Sequence, residues 1–464
     1  MRVNSLFQVM KRPWPRSLPD YAWPRWWLDS PRLAVLRWLL TGLFHASYAV
    51  GLVIGDSLRM GQRVIAGIRE HRPINLKLIE ARSGDCVPRS VLVIRTDGLG
   101  DALLFEPALE TLAQALSPAE MHLWAPPLTC QILRNCPAIH RLAPLPRGFK
   151  DGNFAYFWSP IWRARLGFRL GFWNFEKVVY PADSPEPLGN WLAASARSRE
   201  RWLNLGDTQN QFEWQRQEAS RHATMVLESR PGNGHELQRN SYLANQWGGA
   251  LRLRRPRVHL DEKALVASQK QMHDWQSALR RSGAESIVAL LPAGSMPVKH
   301  YPAQSWSAVV QKLWEDHHAI CALIGGPTDT PTLEELTGAL GPLPHLRMTR
   351  QLDALATAAL LSRTDAVLCV DNGMAHAAVA QNVPTIVLRT GGHPGRFFPW
   401  PGASRSLTLF KSMACEGCLN RCHLEEPRCI TQVEPAEIVA AYERLCTVKT
   451  PKWQSGDAPM HVAV

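Results

Sequence analysis

Three short stretches join charged or hydroxyl side chains to glycine in the manner of a ligand-binding turn. The first, VIRTDGLGDALL over 93–104, sets Asp97, Gly98, Gly100 and Asp101 between an apolar run and an amphipathic one. Its glycines lack the G-x-G-x-x-G spacing of a dinucleotide cradle. The turn instead presents two carboxylates beside the backbone amides of a helix start. The second, LPAGSMPVKHYP over 291–302, offers Gly294, Ser295 and Lys299. Close backbone approach, a hydroxyl and an ammonium together suit phosphate. The third, DNGMAH over 371–376, places Asp371 or Asn372 at a helix N-cap, with Gly373 and His376 in the first turns. Taken singly, Asp101 and Asp371 read as caps, His376 as a satisfied core histidine and Lys299 as a solvated charge.

A fourth stretch, CEGCLNRCHLEEPRC, gathers Cys415, Cys418, Cys422 and Cys429. This spacing fits a tetrahedral thiolate zinc site, or a redox-sensitive thiol set. Four thiolates leave no open coordination position, so a metal here would be structural rather than catalytic. The other cysteines are scattered, and Cys321 and Cys369 sit in apolar runs where a thiol acts as a small hydrophobe.

The turns need elements to hold them. VLVIR, MHLWA and EKVVY read as strands, and Phe105, Leu109, Leu112 and Leu116 share a helical face. A second run begins at Ser286: the strand SIVALL, a helix over AQSWSAVVQKLWED, the strand AICALI, helices near 331–340 and 352–362, and the strand AVLCV. Apolar strands alternating with helices predict parallel sheets covered on both faces. In such sheets ligands bind beyond the carboxyl ends of the strands, where all three turns fall. The polar stretch near 252–284 separates the two runs. Residues 147–250 look less regular and are rich in Trp, serving a core or an acceptor-facing surface.

The 464 residues allow two or three domains, and 45% hydrophobic with 20% charged residues describes a soluble globular chain. The net charge of +12 favours anionic partners. Much of it lies in residues 1–85, with 13 Lys or Arg against 6 Asp or Glu, so a nucleic-acid role for the folded body is disfavoured. Residues 34–54 form an apolar stretch with basic, Trp-rich flanks, suited to an interfacial anchor, a span or a packed helix. The amino terminus lacks the pattern of a cleavable signal, which points to a reduced cytosolic location.

The three turns in this order resemble the motifs of the ADP-heptose:lipopolysaccharide heptosyltransferases, glycosyltransferase family 9, over roughly 88–446. CALIGGPTD is similar to the family's segment near the nucleotide. Asn372 departs from the Thr or Ser usual in that motif. The resemblance implies an α/β fold of GT-B type: two Rossmann-like doubly wound domains facing across a cleft, here with an N-terminal extension. The expected organisation is 1–87 extension, 88–265 acceptor-side domain, 266–446 nucleotide-sugar domain and 447–464 tail. It implies inverting transfer of a heptose or similar sugar from an ADP-sugar to a lipopolysaccharide-core or other lipid-linked saccharide, with no metal or cofactor required for catalysis. By resemblance Asp101 is the general base, and Gly100, Gly294, Ser295, Lys299, Asp371, Asn372, Gly373 and His376 hold the donor. The expected location is the cytoplasmic face of the inner membrane. Two other readings remain: a GT-B enzyme acting on another nucleotide sugar, and a non-catalytic, zinc-stabilised protein of the membrane surface.

Overall fold

The computed structural model describes residues 46, 50, 51, 53, 54, 58 and 90–446, except 118, 146–159, 229–233 and 249–253. The tail 447–464, most of the extension 1–87 and most of the apolar stretch 34–54 lie outside the described residues.

Two six-stranded sheets carry the fold. In the first, β1 (Ser90–Ile94), β2 (Glu120–Ala125), β3 (Arg141–Pro144), β4 (Phe175–Tyr180), β5 (Ser198–Asn204) and β6 (Met225–Leu227) lie in the order β3-β2-β1-β4-β5-β6. In the second, β7 (Ser286–Leu291), β8 (Ala319–Leu323), β9 (His345–Arg347), β10 (Ala366–Val370), β11 (Thr385–Leu388) and β12 (Ser406–Leu409) lie in the order β12-β11-β10-β7-β8-β9. Every pairing is parallel. Both sheets therefore follow the Rossmann order, with strand order reversing between β1 and β4 and between β7 and β10. The interior strands β1, β8 and β10 are buried along their whole length, which is why their sequences are nearly unbroken apolar runs.

One expectation needs correction. Within 147–250 the described residues are regular: helices Pro160–Phe172, Pro187–Ser195, Glu213–His222 and Glu236–Gln246 alternate with β4, β5 and β6. Their pattern is faint because β6 is an edge strand and helix Glu213–His222 buries only Gln215 and Ala219. Trp191 and Trp202 are core, whereas Trp214 is exposed. The polar stretch near 252–284 contains a long amphipathic helix, Glu262–Ser282, which buries Ala264, Met272 and Trp275. Asp261 caps its start by accepting from the Ala264 N–H, and Gly283 ends it at φ 76°.

The helix Leu99–Ala115 packs between the two sheets. Phe105, Leu109 and Leu112 join the first sheet's core, while Leu104 joins the core of the second. The first core also takes in Leu355, Ala358 and Ala377 from the second half. The turns after β1 and β10 are thus pressed together by continuous apolar packing.

Candidate active site

The turns after β1, β7 and β10 meet at one place. Lys299 ends a short turn, Pro297–Lys299, and its Nζ lies 2.8 Å from Asp371 Oδ2 and 3.3 Å from the Asp371 carbonyl. Burial pushes the Asp371 carboxyl up, but Lys299, His376 and His393 outweigh it and hold the group below its ordinary value. Asn372, rather than Asp371, caps the next helix: its Oδ1 accepts from the Ala375 N–H at 2.9 Å. The same side chain donates to the Ala293 carbonyl at 2.9 Å, tying the third turn to the second. An amide does both jobs, since it carries an acceptor and a donor where a hydroxyl is smaller. Gly294 lets these turns close, because a Cβ there would stand 2.8 Å from Lys299 Cβ. Ser295 lies beside them, exposed.

The first and third turns touch directly. A Cβ on Gly100 would fall 2.6 Å from His376 Cδ2, and one on Gly373 would fall 3.3 Å from the Gly100 backbone nitrogen. Two helix N-termini, Leu99–Ala115 and Gly373–Ala380, therefore abut, and their unpaired N–H groups favour an anion nearby. His376 is 3% exposed, stacked on Phe398 at 4.3 Å, and accepts from Trp400 Nε1 at 3.1 Å. Burial lowers its pKa to about 4, against Asp371 and Asp101, so the ring is neutral near pH 7.

The carboxylates divide sharply in what they do. Asp97 is bound by Arg95 through Nε at 3.0 Å and Nη2 at 2.5 Å, and burial raises its pKa to about 6. Asp371 is bound by Lys299. Asp101 sits inside the first turn of its helix, the cap position being Gly98, so the capping role does not apply. Its side chain accepts no hydrogen bond from the described residues. Only its carbonyl is held, by Arg95 Nη2 at 3.4 Å. A half-exposed carboxylate without a side-chain hydrogen bond from the described residues thus stands at this junction.

A neighbouring group was not legible from sequence. Glu236 pairs with Arg396 at 2.9 Å, Asp183 pairs with Arg239 at 3.1 Å, and Arg396 also reaches Ser184 at 3.1 Å. Burial raises the Glu236 pKa to about 7 against the pull of Arg396. Asp101 lies within electrostatic range of both Glu236 and Arg396. Asp183 and Ser184 follow β4, at the point where strand order reverses, so the same rule that marks the other turns marks this one.

Residues 211–427 match the model of glycosyltransferase family 9 (heptosyltransferase). The chain carries a glycosyltransferase family 9 domain. Lys299, Asp371 and His376 lie within the matched residues, and Asp101 precedes them. Solved structures share the fold. The family 9 glycosyl transferase from Veillonella parvula DSM 2008 is 16% identical, with 77% of this chain and 97% of that chain covered at a TM-score of 0.59. E. coli ADP-heptose lps heptosyltransferase II is 16% identical, with 77% and 98% covered at 0.57. E. coli heptosyltransferase WaaC with ADP-2-deoxy-2-fluoro heptose is 18% identical, with 76% and 99% covered at 0.54. The architecture is thus the GT-B arrangement of two Rossmann-like domains, and the protein is a heptosyltransferase-like glycosyltransferase. No curated protein matches the sequence.

Cys415, Cys418, Cys422 and Cys429 line one recess together with Val298 and Thr390, behind the turn that carries Lys299. Burial, and then the three neighbouring thiols, push the Cys429 thiol above its ordinary value. Elsewhere, ligand atoms of Glu106, Cys136 and His259 lie within 4.8 Å of one another, a spacing open to a metal ion. Glu106 is already spent, however. It accepts from both Arg254 nitrogens at 2.9 and 3.0 Å, from the Arg257 N–H at 3.0 Å, and stands 3.0 Å from His259 Nε2. A cation there would have to displace a guanidinium from a buried carboxylate. These residues brace the helix Leu99–Ala115 against the segment joining the two halves.

Proposed function

We propose that the chain is an inverting transferase that moves a heptose from an ADP-sugar to a lipid-linked saccharide, with Asp101 as general base. The observation that carries this reading is the Asp101 carboxylate, without a hydrogen bond from the described residues, at the meeting point of Lys299, His376 and two helix N-termini. The acceptor hydroxyl gives its proton to Asp101 as its oxygen bonds the anomeric carbon. The bond to the diphosphate breaks on the opposite face, and ADP leaves with the electron pair. Lys299 and the helix N-termini stabilise the charge that grows on the leaving group. Gly100, Gly294, Ser295, Asp371, Asn372, Gly373 and His376 shape that anion site. E. coli heptosyltransferase WaaC was solved with ADP and with ADP-2-deoxy-2-fluoro heptose, which supports an ADP-linked donor.

The enzyme works at the cytoplasmic face of the membrane. Supporting this, Val50, Ile54 and Leu58 recur every four residues on helical backbone and are 56%, 50% and 53% exposed. Such an apolar stripe suits the interfacial region of a bilayer. No helix among the described residues is long and apolar enough to cross a membrane.

The four cysteines hold a structural zinc. The donor set fits, since four thiols share one recess. Zinc would pin the loop behind Val298 and take no part in transfer.

Replacing Asp101 by Asn tests the central reading. Loss of a positioned base lowers kcat by roughly 10²–10⁴-fold while ADP binding persists. A variant that keeps most of its kcat with the natural acceptor overturns the role.

A further inference from the structure

His376 is flanked by two different kinds of neighbour. On one side Trp400 Nε1 lies 3.1 Å from Nδ1. An indole N–H can only donate, so Nδ1 must be the unprotonated, accepting nitrogen. A neutral imidazole carries one proton, which is therefore on Nε2. On the other side, Nε2 faces Gly100 and stands 3.9 Å from Asp371 Oδ1, beyond hydrogen-bond reach. Among the described residues no acceptor takes this N–H. Nor is Nε2 sealed away as a buried polar atom without a partner.

We propose that Trp400 is a positioning residue that fixes the tautomer of His376, so that an Nε2–H donor is presented to the diphosphate of the sugar donor. The ligand half of this inference rests on the nucleotide-sugar reading above. The alternative tautomer would put a lone pair beside Asp371 and toward an anion, which repels both. With Nε2–H outward, the ring adds a neutral donor to the positive end of the site without adding a charge. That neutrality matters beside Lys299, whose ammonium would disfavour a second cation. The ring is also held in place, since Phe398 stacks on one face and the same loop brings Trp400. Trp400 itself is 4% exposed and its indole N–H is spent on His376, so it acts through that ring.

The test is ¹⁵N NMR of the imidazoles in full-length protein near pH 7, on wild type and Trp400→Phe, paired with ADP titration. Wild type is expected to show His376 as the Nε2-protonated neutral form. Trp400→Phe, which keeps an apolar ring, should show the Nδ1-protonated tautomer as well, and its ADP binding should weaken by the inverse of the Nε2-protonated fraction that remains, about twofold for an even mixture and more as that form is depleted. A Nδ1-protonated or doubly protonated ring in wild type overturns the proposal. So does an unchanged tautomer in the variant. A changed tautomer with unchanged ADP affinity overturns the assignment to the diphosphate. If wild type binds no ADP, the nucleotide reading fails separately, and the tautomer still decides the role of Trp400. Should Trp400→Phe not fold, the wild-type spectrum alone decides.

Discussion

Gly100→Ala puts a single methyl group into the contact between the two halves. The added carbon would lie 2.6 Å from His376 Cδ2 and 3.0 Å from Nε2, well inside van der Waals contact. The ring has little room to retreat, because Phe398 stacks on it at 4.3 Å and Trp400 holds it at 3.1 Å. Overpacking of this kind costs roughly 1–3 kcal/mol. Against it, alanine in the first turn of a helix gains at most about 1 kcal/mol over glycine. The net expectation is a loss of about 1–2 kcal/mol, or a melting temperature lower by roughly 2–8 °C, with weaker ADP binding. Gly338→Ala is the control: it lies in the exposed helix Thr330–Leu340 with nothing within 4 Å of the new carbon. That change should stabilise by about 0.5–1 kcal/mol. Calorimetry and ADP titration on both variants give the answer. If Gly100→Ala is as stable as Gly338→Ala and binds ADP normally, the two helix N-termini do not meet as described.

Lys299→Ala leaves Asp371 unpaired and facing an anion, so ADP affinity should fall by about 10–100-fold and transfer should slow further; equal affinity and rate would return Lys299 to a surface role. In acid, burial holds His235 at a pKa of about 4, while the unfolded chain takes the proton near the ordinary 6.5. The stability present above pH 6.5 is therefore lost as pH falls toward 4, by about 3 kcal/mol for this residue. Glu236 and Asp97 titrate in the opposite sense, their raised values favouring the folded state in acid and losing that benefit as pH rises. The histidine effect is thus read as the difference between wild type and His235→Gln, and equal slopes from pH 6.5 to 4 would exclude it. Removing residues 1–85 should release the protein from membranes while ADP binding survives; full-length protein wholly soluble beside membranes at low salt would refute the anchor. Zinc analysis of untagged protein should find one ion per chain, and metal-free protein of equal stability would leave only a thiol cluster.

While β3, β5, β6, β9, β11 and β12 were not named, six of the twelve strands, β1, β2, β4, β7, β8 and β10, were plain in the sequence because burial makes them largely apolar runs, as in SIVALL and AVLCV. Their carboxyl ends then located three turns, and the structure brings Lys299 to Asp371 and Gly100 to His376. Two kinds of residue stayed hidden. Glu236, Arg396 and Trp400 act through partners distant in sequence, and no local spacing betrays an ion pair formed between the two halves. Helix Glu213–His222 was obscured for the opposite reason: it is almost wholly polar, with too narrow a buried face to show a period. Asp371 and Asn372 were indistinguishable as caps from sequence, since both are good N-cap residues. The ammonium of Lys299 separates them, by claiming the carboxylate and leaving the cap to the amide.

The most direct measurement of the central claim is ADP release by the purified protein, with lipid-linked core saccharide as acceptor and ADP-, UDP- and GDP-linked sugars offered in turn. ADP-heptose alone should turn over, only when acceptor is present, and the new glycosidic bond should have the anomeric configuration opposite to the donor's. Turnover with a UDP- or GDP-sugar and none with ADP-heptose, or a product that retains the donor's configuration, would contradict the account.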